Sequence, residues 1–512
     1  MLDAAHKLGL DIPTLCHLEG YTPSTSCLVC VVKVGGRIMP SCALPAEDGM
    51  AIESETEEVH TIRRTSLELL FSDHLGDCLA PCHFACPAHM DVPLMLRQIQ
   101  GEDFRDAIVT VKEDIALPAV LGRVCPKPCE KGCRRSGADG AVAICELKRF
   151  VADQDLATGA PYMAPCLPDS GRHVAVVGSG PTGLAAAYYL RRAGHQVTIL
   201  EREGVLGGRL RREPDAEGLP VEVLEAEIAT ITGLGIETRL GTALGEQVAL
   251  DALVGEHDAV LIACGAVGKE TVESWPLGAT PRGVDVGKAG FVTSREGVFA
   301  AGNAIRGKGL VVRSVADGKE VAVAIGQYLD GDTPVGVDKP FSSRIGKLTP
   351  DELGTFVASS TVQVRREPEP AADGFAPTLA IAQAGRCLHC DCRALHTCKL
   401  KRYAEMYGAD PSRYKGERAV FQQNLQHSMV IYEPGKCIDC GLCIEIASLG
   451  GEPLGLTFIG RGFDVRVGVP FDRSMEEALG QMAEQCVAAC PTAALALRGE
   501  SCRCSTEEAK EG

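Results

Sequence analysis

The stretch RHVAVVGSGPTGLAAAYYLRRAGHQVTILE, residues 172–201, decides the fold. RHVAVVG reads as a buried strand, PTGLAAAYYLRRAG as a helix and QVTILE as the next strand. Between the first strand and the helix stands Gly178-Ser179-Gly180-Pro181-Thr182-Gly183. The first glycine permits a tight turn, the second lets backbone approach a pyrophosphate, and the third lets the helix pack on the strand. The helix N-terminus then faces the anion. Glu201 closes the second strand at the distance expected of a ribose-binding acid. A lone G-x-G-x-x-G carries little; placed strand–turn–helix with its acid, it predicts a Rossmann-like dinucleotide unit.

The rest of the chain is dominated by cysteine. It has 512 residues, 24 of them Cys, and 51 Lys+Arg against 68 Asp+Glu, a net charge of −17. That balance argues against a nucleic-acid partner. Hydrophobic content is 45%, enough for a large core, and the length allows several domains. No uncharged apolar run is long enough for a membrane span; the nearest, 174–190, is broken by Gly178, Gly180 and Gly183. No basic region followed by an apolar one opens the sequence, so the expectation is a cytoplasmic protein with reduced thiols. Reduced thiols in clusters are metal ligands more often than disulfides. The fold class expected is multidomain α/β and α+β, in five segments: 1–57, 58–168, 169–335, 336–430 and 431–512. Pro161, Pro165 and Pro168 mark one linker, and Pro368 with Pro370 another.

In the first segment Cys16, Cys27, Cys30 and Cys42 are spaced C-x10-C-x2-C-x11-C. Four thiolates with one tight pair suit a [2Fe–2S] cluster better than structural zinc, which usually pairs two tight knuckles. PTLCHLEG, SCLVCVVKVGG and SCALPAEDGM resemble the [2Fe–2S] domain of hydrogenase and complex I electron-input subunits. That resemblance implies a β-grasp fold with these four cysteines as ligands. The family has a β-hairpin ahead of the segment resembling LDAAHKLGLDIPTLC, so a partial β-grasp lacking two strands is expected here.

The second segment reads DCLAPCHFACPAHMDVP, GRVCPKPCEKGC and VAICELKRFVAD. It resembles the helical two-cluster domain of the glutamate synthase small subunit and dihydropyrimidine dehydrogenase. There, two [4Fe–4S] clusters each draw ligands from both halves of the domain. The resemblance implies one cluster on Cys78, Cys82 and Cys133, and another on Cys86, Cys125 and Cys129. Each lacks a fourth ligand. His74, in an H-x3-C arrangement like that of the His-ligated cluster of hydrogenase subunits, is the candidate for the first; the alternative is a surface histidine near a helix end. Cys145 is the candidate for the second, since Lys148 and Arg149 are poor ligands; the alternative is a small core residue.

VLGGRL, with Gly208 and Arg209, resembles the FAD-binding version of the dinucleotide fold. DAVLIACGA, with Gly265, and GVFAAGNAIRGKGLVV, with Gly302 and Asn303, resemble the further flavin segments of the glutamate synthase small subunit. Asn303 takes the place of that family's acid and can hydrogen-bond without charge. The family's NADPH domain sits between these segments. Here only 36 residues separate Gly265 and Gly302. A βαβ unit takes about 30 or more, so a complete nicotinamide domain does not fit.

Cys387, Cys390, Cys392 and Cys398 form a tight knot in RCLHCDCRALHTC, open to either a [4Fe–4S] cluster or zinc. KCIDCGLC and QCVAACP supply Cys437, Cys440, Cys443 and Cys490. Against the two-cluster ferredoxin pattern, these four complete one cluster, while Cys486 is left from a lost one. The C-terminal segment is therefore expected to be a ferredoxin-like domain resembling hydrogenase and formate dehydrogenase electron-transfer subunits. Cys166, Cys264, Cys502 and Cys504 join no set.

The cofactors expected are FAD, one [2Fe–2S] cluster and three [4Fe–4S] clusters, or four if the knot holds one. The function expected is an FAD and iron–sulfur oxidoreductase subunit working with other redox subunits of hydrogenase or formate dehydrogenase type, or with ferredoxin. Rival readings are an NAD(P)H-dependent reductase like the glutamate synthase small subunit and a non-catalytic iron–sulfur scaffold. No catalytic acid or base is assigned.

Overall fold

The computed structural model describes residues 1–212, 218–361, 363–369, 371 and 373–498. Pro370, Cys502 and Cys504 lie outside the described residues. Two compact units account for the chain, and each is assembled from separated stretches: 1–80, 340–359 and 389–512 in the first, 81–339 and 360–388 in the second.

The first unit opens with a three-stranded antiparallel sheet in which Val31–Val34 lies between Arg37–Pro40 and Ile52–Glu53. The helix Glu57–Ser72 follows. Thr56 caps it by accepting the Val59 N–H, and Glu57 and Glu58 in its first turn oppose the positive helix end. Val59, Arg63, Leu67 and Phe71, four residues apart in series, make one buried face. Arg63 is fully buried and donates to Val31 O and to Tyr407 Oη, so the helix is tied to the sheet before it and to the end of the helix Lys399–Met406. This packing explains why residues 58–80 join the first unit although the segment boundary read from sequence lay at 57.

Within the same unit, Val430–Tyr432 pairs antiparallel with Leu495–Leu497, and the helices Leu442–Leu449 and Ala483–Ala489 pack over the pair. Leu15, Cys16, Cys27, Leu67, Phe71, Leu400, Cys440 and Leu442 share one core, so three cysteine-bearing regions are fused in a single apolar cluster. Glu352, buried and ion-paired to Arg418, also accepts N–H bonds from Phe421 and Thr349. Arg418 and these donors hold its carboxyl far below the ordinary range. A carboxyl depressed by folding stabilises above its unfolded pKa and loses that contribution as pH falls. Thermal unfolding should therefore show the contribution of Glu352 intact above about pH 4.5 and declining below it. Glu352→Ala should cost about 1–3 kcal/mol at neutral pH, by orphaning buried donors.

In the second unit six helices between Pro81 and Ala157 precede a five-stranded parallel sheet. The sheet order is Val298–Ala300, Ala259–Ile262, His173–Val177, Gln196–Leu200, Glu237–Arg239. His173–Val177 is central, and the chain departs to one side of it first and returns to the other later. That reversal places a crevice at its carboxyl end, where ligands bind in such sheets. The helices Pro181–Arg192 and Val311–Leu329 pack against each other, with Gly318 close on the Thr182 carbonyl. Between Ala259–Ile262 and Val298–Ala300 stand a six-residue helix, Lys269–Ser274, and a two-stranded hairpin, Ala279–Thr280 with Gly283–Val284. Among the described residues, no helix is long and apolar enough to cross a membrane.

Candidate functional site

The strand–turn–helix–strand read from residues 172–201 is present, with its turn at the carboxyl end of the central strand. Gly178 has φ +104°, and a Cβ there would lie 2.7 Å from the Ala263 carbonyl oxygen. A Cβ on Gly183 would lie 1.9 Å from the Gly178 carbonyl oxygen. Gly180, by contrast, has nothing within 4 Å of its Cβ position and opens onto a cleft. The cleft's empty space, open solvent at its mouth included, is about 1100 Å³. Gly178, Ser179, Gly180, Pro181, Thr182, Glu201, Gly208, Arg209, Gly265 and Asn303 all line it; Gly183 and Gly302 stand outside the lining. Cys264 of the DAVLIACGA segment lines it as well, as do Trp275, Thr242 and Arg212, which no motif signalled in advance.

Two polar features face this cleft. Glu201 is buried, and its carboxylate accepts from the Ser179 N–H at 3.0 Å and from the Ser179 hydroxyl, which in turn accepts from the Gly207 N–H. The phosphate-facing turn and the acid are thus one rigid assembly. Asn303 is buried, and its Oδ1 has no hydrogen-bond partner. A buried acceptor left unpaired in the protein alone is the kind of group a bound ligand satisfies. The pyrophosphate-accepting turn, the arginines at the rim and the Asn303 carbonyl fit a dinucleotide cofactor.

In the first unit three thiol groupings lie around the shared core. Cys16 and Cys27 have their sulfurs 3.4 Å apart. Cys42 bridges Cys16 to Cys30 through thiol hydrogen bonds. Hydrogen bonds from Cys27 and Cys42 pull the Cys16 thiol far down, and Cys42 pulls Cys30 down to about 6. The same bonds push the Cys27 and Cys42 thiols well up, so the four share protons that a metal centre would displace on binding.

The second grouping brings together residues from distant parts of the sequence. Cys78 lies in the first unit and Cys82 and Cys133 in the second. His74, Cys78, Cys392 and Cys398 line one small enclosed pocket. Cys392 N–H donates to the Cys78 carbonyl at 3.1 Å. Of the knot at 387–398, Cys392 and Cys398 line this pocket, and Cys387 and Cys390 do not. The connecting residues 387–390 form neither helix nor strand, so neighbouring thiols are free to serve different places. Burial lowers the His74 pKa to about 3, with Lys436 and Lys415 adding to the effect. The imidazole is neutral, the form that ligates metal, and its Nδ1 is buried without a partner.

Cys437, Cys440, Cys443 and Cys490 line the third pocket. Gly441, at φ +74°, turns the chain into the helix that carries Cys443. This site touches both others: Ser24 Oγ donates to the Cys440 carbonyl at 2.6 Å, and Leu400 N–H donates to the Pro491 carbonyl at 3.2 Å. Cys486 is fully buried, its thiol directed at the Cys443 carbonyl, and packs in the core.

In the second unit, Cys125 and Cys145 are hydrogen-bonded, and Cys129 interacts electrostatically with Cys86 and Cys145. Among these four thiols lies the ammonium of Lys148, one turn after Cys145 on the helix Ile144–Ala157. Burial opposes its charge, but the four thiols outweigh burial and hold it charged. The sequence weighed Lys148 only as a ligand and missed this role. Cys82 and Cys133 flank the packed turn where Gly132 approaches Ala85. Among the described residues no three His, Cys, Asp or Glu side chains are arranged to hold a single metal ion. Cys166 is half-buried at Ala164, and Cys264 is in the cleft wall.

Comparison with known proteins assigns three stretches. Residues 1–57 match a 2Fe-2S iron-sulfur cluster binding domain, residues 74–160 match dihydropyrimidine dehydrogenase domain II with its 4Fe-4S cluster, and residues 176–241 match an NAD(P)-binding Rossmann-like domain. Over 207 residues the chain is 38% identical to the NADP(+)-dependent formate dehydrogenase subunit beta of Moorella thermoacetica. Over 216 residues it is 38% identical to the NADPH-Fe(3+) oxidoreductase subunit beta of Geobacter sulfurreducens, and over 188 residues 40% identical to the NAD-dependent dihydropyrimidine dehydrogenase subunit PreT of Escherichia coli O157:H7. These alignments cover 36%, 42% and 36% of this chain, and 29%, 31% and 45% of the relatives. The chain thus spans less than half the length of each relative. It carries [2Fe–2S] and [4Fe–4S] cluster domains and a Rossmann-like domain.

Proposed function

We propose that the chain is the electron-transfer subunit of a multisubunit oxidoreductase, of hydrogenase or formate dehydrogenase type, passing electrons between FAD in the Gly178–Gly183 cleft and a series of iron–sulfur clusters. The observation that carries the reading is the gathering of side chains far apart in sequence around two small pockets, His74 with Cys78, Cys392 and Cys398, and Cys437 with Cys440, Cys443 and Cys490. When bound, a flavin supplies exchange between two-electron and one-electron transfer, and clusters supply one-electron steps. The protein's own part is to bind and orient. The Gly178–Gly183 turn and the helix after it would hold the pyrophosphate, Glu201 a ribose, and Asn303 a polar group of the cofactor. Cys16, Cys27, Cys30 and Cys42 would hold a [2Fe–2S] cluster. Three sets would each hold a [4Fe–4S] cluster: His74 with Cys78, Cys392 and Cys398; Cys86 with Cys125, Cys129 and Cys145; and Cys437 with Cys440, Cys443 and Cys490.

In the first unit the Cys437–Cys490 site would be the middle of the relay, since Ser24 joins it to the [2Fe–2S] site and Pro491 to the His74 site. Electrons entering at either end would then leave through the other. Other redox subunits or a ferredoxin are the proposed partners, in the cytoplasm.

The relatives' names give a second reading, direct reduction by NADPH or NADH. Against it stands the short helix and hairpin where the glutamate synthase small subunit carries its nicotinamide domain. Mixing the anaerobic, oxidised protein with NADPH or NADH decides between them. The proposed subunit shows no flavin bleaching within seconds in the absence of a partner, whereas a reductase bleaches at once. A smaller test concerns Lys148. Lys148→Met should lower the midpoint potential of one [4Fe–4S] signal in an EPR titration, because a buried positive charge favours the reduced, more negative cluster; an unchanged potential removes Lys148 from that role.

A further inference from the structure

The chain as a whole is strongly acidic, at −17, yet one stretch beside the dinucleotide cleft carries the opposite charge. Arg306, Lys308 and Arg313 fall within the eight residues RGKGLVVR, which hold no acid. Asn303, just before the stretch, and Ser314, just after it, both line the cleft, so the stretch stands at the cleft's edge. Lys308, Leu310 and Arg313 are exposed and Arg306 is half-buried. Leu310 is 53% exposed, an apolar side chain set among the three cations.

The two arginines are held in place from below. Asp317, fully buried on the helix Val311–Leu329, is ion-paired to Arg306 and, at 3.3 Å, to Arg313. Burying a carboxylate is costly unless it is paired. One carboxylate under two guanidinium groups fixes both and leaves positive charge in excess at the surface. The hairpin of Ala279–Thr280 and Gly283–Val284 packs against the same stretch. A Cβ on Gly283 would lie 2.0 Å from the Ala304 carbonyl oxygen, and one on Gly307 3.7 Å from the carbonyl oxygen of Arg282. Arg282, at the hairpin's turn, is exposed and adds a fourth cation. Other arginines of the cleft are matched by an acid: Arg202 and Arg212 both pair with Glu203. Positive charge gathered at the mouth of a cleft steers an anionic partner towards it. The cofactor's own phosphates are already provided for at the Gly178–Gly183 turn, and an exposed leucine among the cations suits a protein face better than a small anion.

We infer that Arg282, Arg306, Lys308, Leu310 and Arg313 form the docking surface for a small iron–sulfur electron carrier whose contact face is rich in carboxylates, and that this carrier exchanges electrons with the flavin at this edge of the cleft. The inference rests on the flavin reading above. Each encounter oxidises the carrier's cluster by one electron. Two encounters, with protons taken from solvent, complete the two-electron reduction of the flavin.

The test uses the full chain purified anaerobically, with flavin and iron measured per chain, and an acidic bacterial ferredoxin with two [4Fe–4S] clusters as the probe. Reduced ferredoxin is mixed rapidly with the oxidised chain and flavin bleaching is followed. The second-order rate constant should fall as salt is raised. The double variant Arg282→Glu/Lys308→Glu should lower it by about tenfold or more at low salt and flatten its salt dependence. Flavin content and direct reduction by dithionite should stay as in the wild type. Lys308→Arg should keep the wild-type rate, since charge is what the surface supplies. Lys7→Glu, an equal change of charge per site at an exposed residue of the first unit, should also keep it. A wild-type rate and salt dependence in the double variant would overturn the inference, because electrons would then enter elsewhere. So would a flavin-loaded wild type that ferredoxin does not bleach. Loss of flavin from the double variant, with Lys308→Glu alone losing it too, would assign the stretch to cofactor binding and overturn the docking role. A wild-type chain purified without flavin would instead defeat the broader reading, so the two failures are distinguishable.

Discussion

Gly183→Ala should yield a chain that is purified without flavin and whose second unit unfolds at markedly lower temperature. The added Cβ would sit 1.9 Å from the Gly178 carbonyl oxygen, inside a contact that no rotamer change can relieve because both atoms are fixed by backbone. The helix Pro181–Arg192 would have to withdraw from the central strand. Its neighbours cannot follow: Gly318 on the long helix Val311–Leu329 has its Cβ position 2.6 Å from the Thr182 carbonyl. Overpacking of this kind typically costs about 1–3 kcal/mol, and more where backbone must shift. The functional loss should exceed the stability loss, because the same displacement moves the turn meant to face the pyrophosphate. Gly180→Ala is the matched control. Its Cβ position is free of protein atoms, so stability should hold while cofactor affinity falls. Calorimetry and flavin absorbance on the two variants separate these effects. Equal stability and full flavin in Gly183→Ala would contradict the packing argument.

Cys78→Ala and Cys398→Ala should abolish one and the same EPR component and leave the [2Fe–2S] signal in place. The two residues stand far apart in sequence, yet share a buried pocket with His74 and Cys392. Each supplies one corner of the proposed cluster, so removing either should release it or leave a three-iron remnant. Cys82→Ala should leave this component untouched, since Cys82 does not line that pocket. His74→Cys should retain iron while shifting the midpoint potential downward, a thiolate being a stronger donor than neutral imidazole. If Cys78→Ala and Cys82→Ala lose the same component instead, the grouping by sequence proximity is right and the structural one wrong.

These expectations show where sequence was sufficient. The dinucleotide turn was legible because strand, turn, helix and acid follow one another within thirty residues, and local periodicity marks each. The quartet Cys16–Cys42 was legible for the same reason, and the quartet Cys437–Cys490 because a known ferredoxin spacing survives in it. The His74 set was only half legible. Its H-x3-C pair is local, but Cys392 and Cys398 arrive after the whole sheet of the second unit has intervened, and nothing near Cys78 points to them. The division of the 387–398 knot was hidden too. Four thiols close in sequence look like one site, yet Cys392 and Cys398 line the pocket with His74 and Cys78 while Cys387 does not. Lys148 escaped notice because lysine is a poor ligand; its importance lies in charge, which becomes visible only when four thiols surround it.

The central claim, a flavin and several clusters exchanging electrons within one chain, is tested most directly by an anaerobic reductive titration of the intact protein, with absorbance and EPR followed together and iron, zinc and flavin quantified beforehand. Stoichiometric flavin, iron sufficient for one [2Fe–2S] and at least three [4Fe–4S] clusters, and reduction of flavin and clusters by the same electron equivalents are predicted. Zinc in place of iron, or clusters that stay oxidised while flavin is fully reduced, would contradict it.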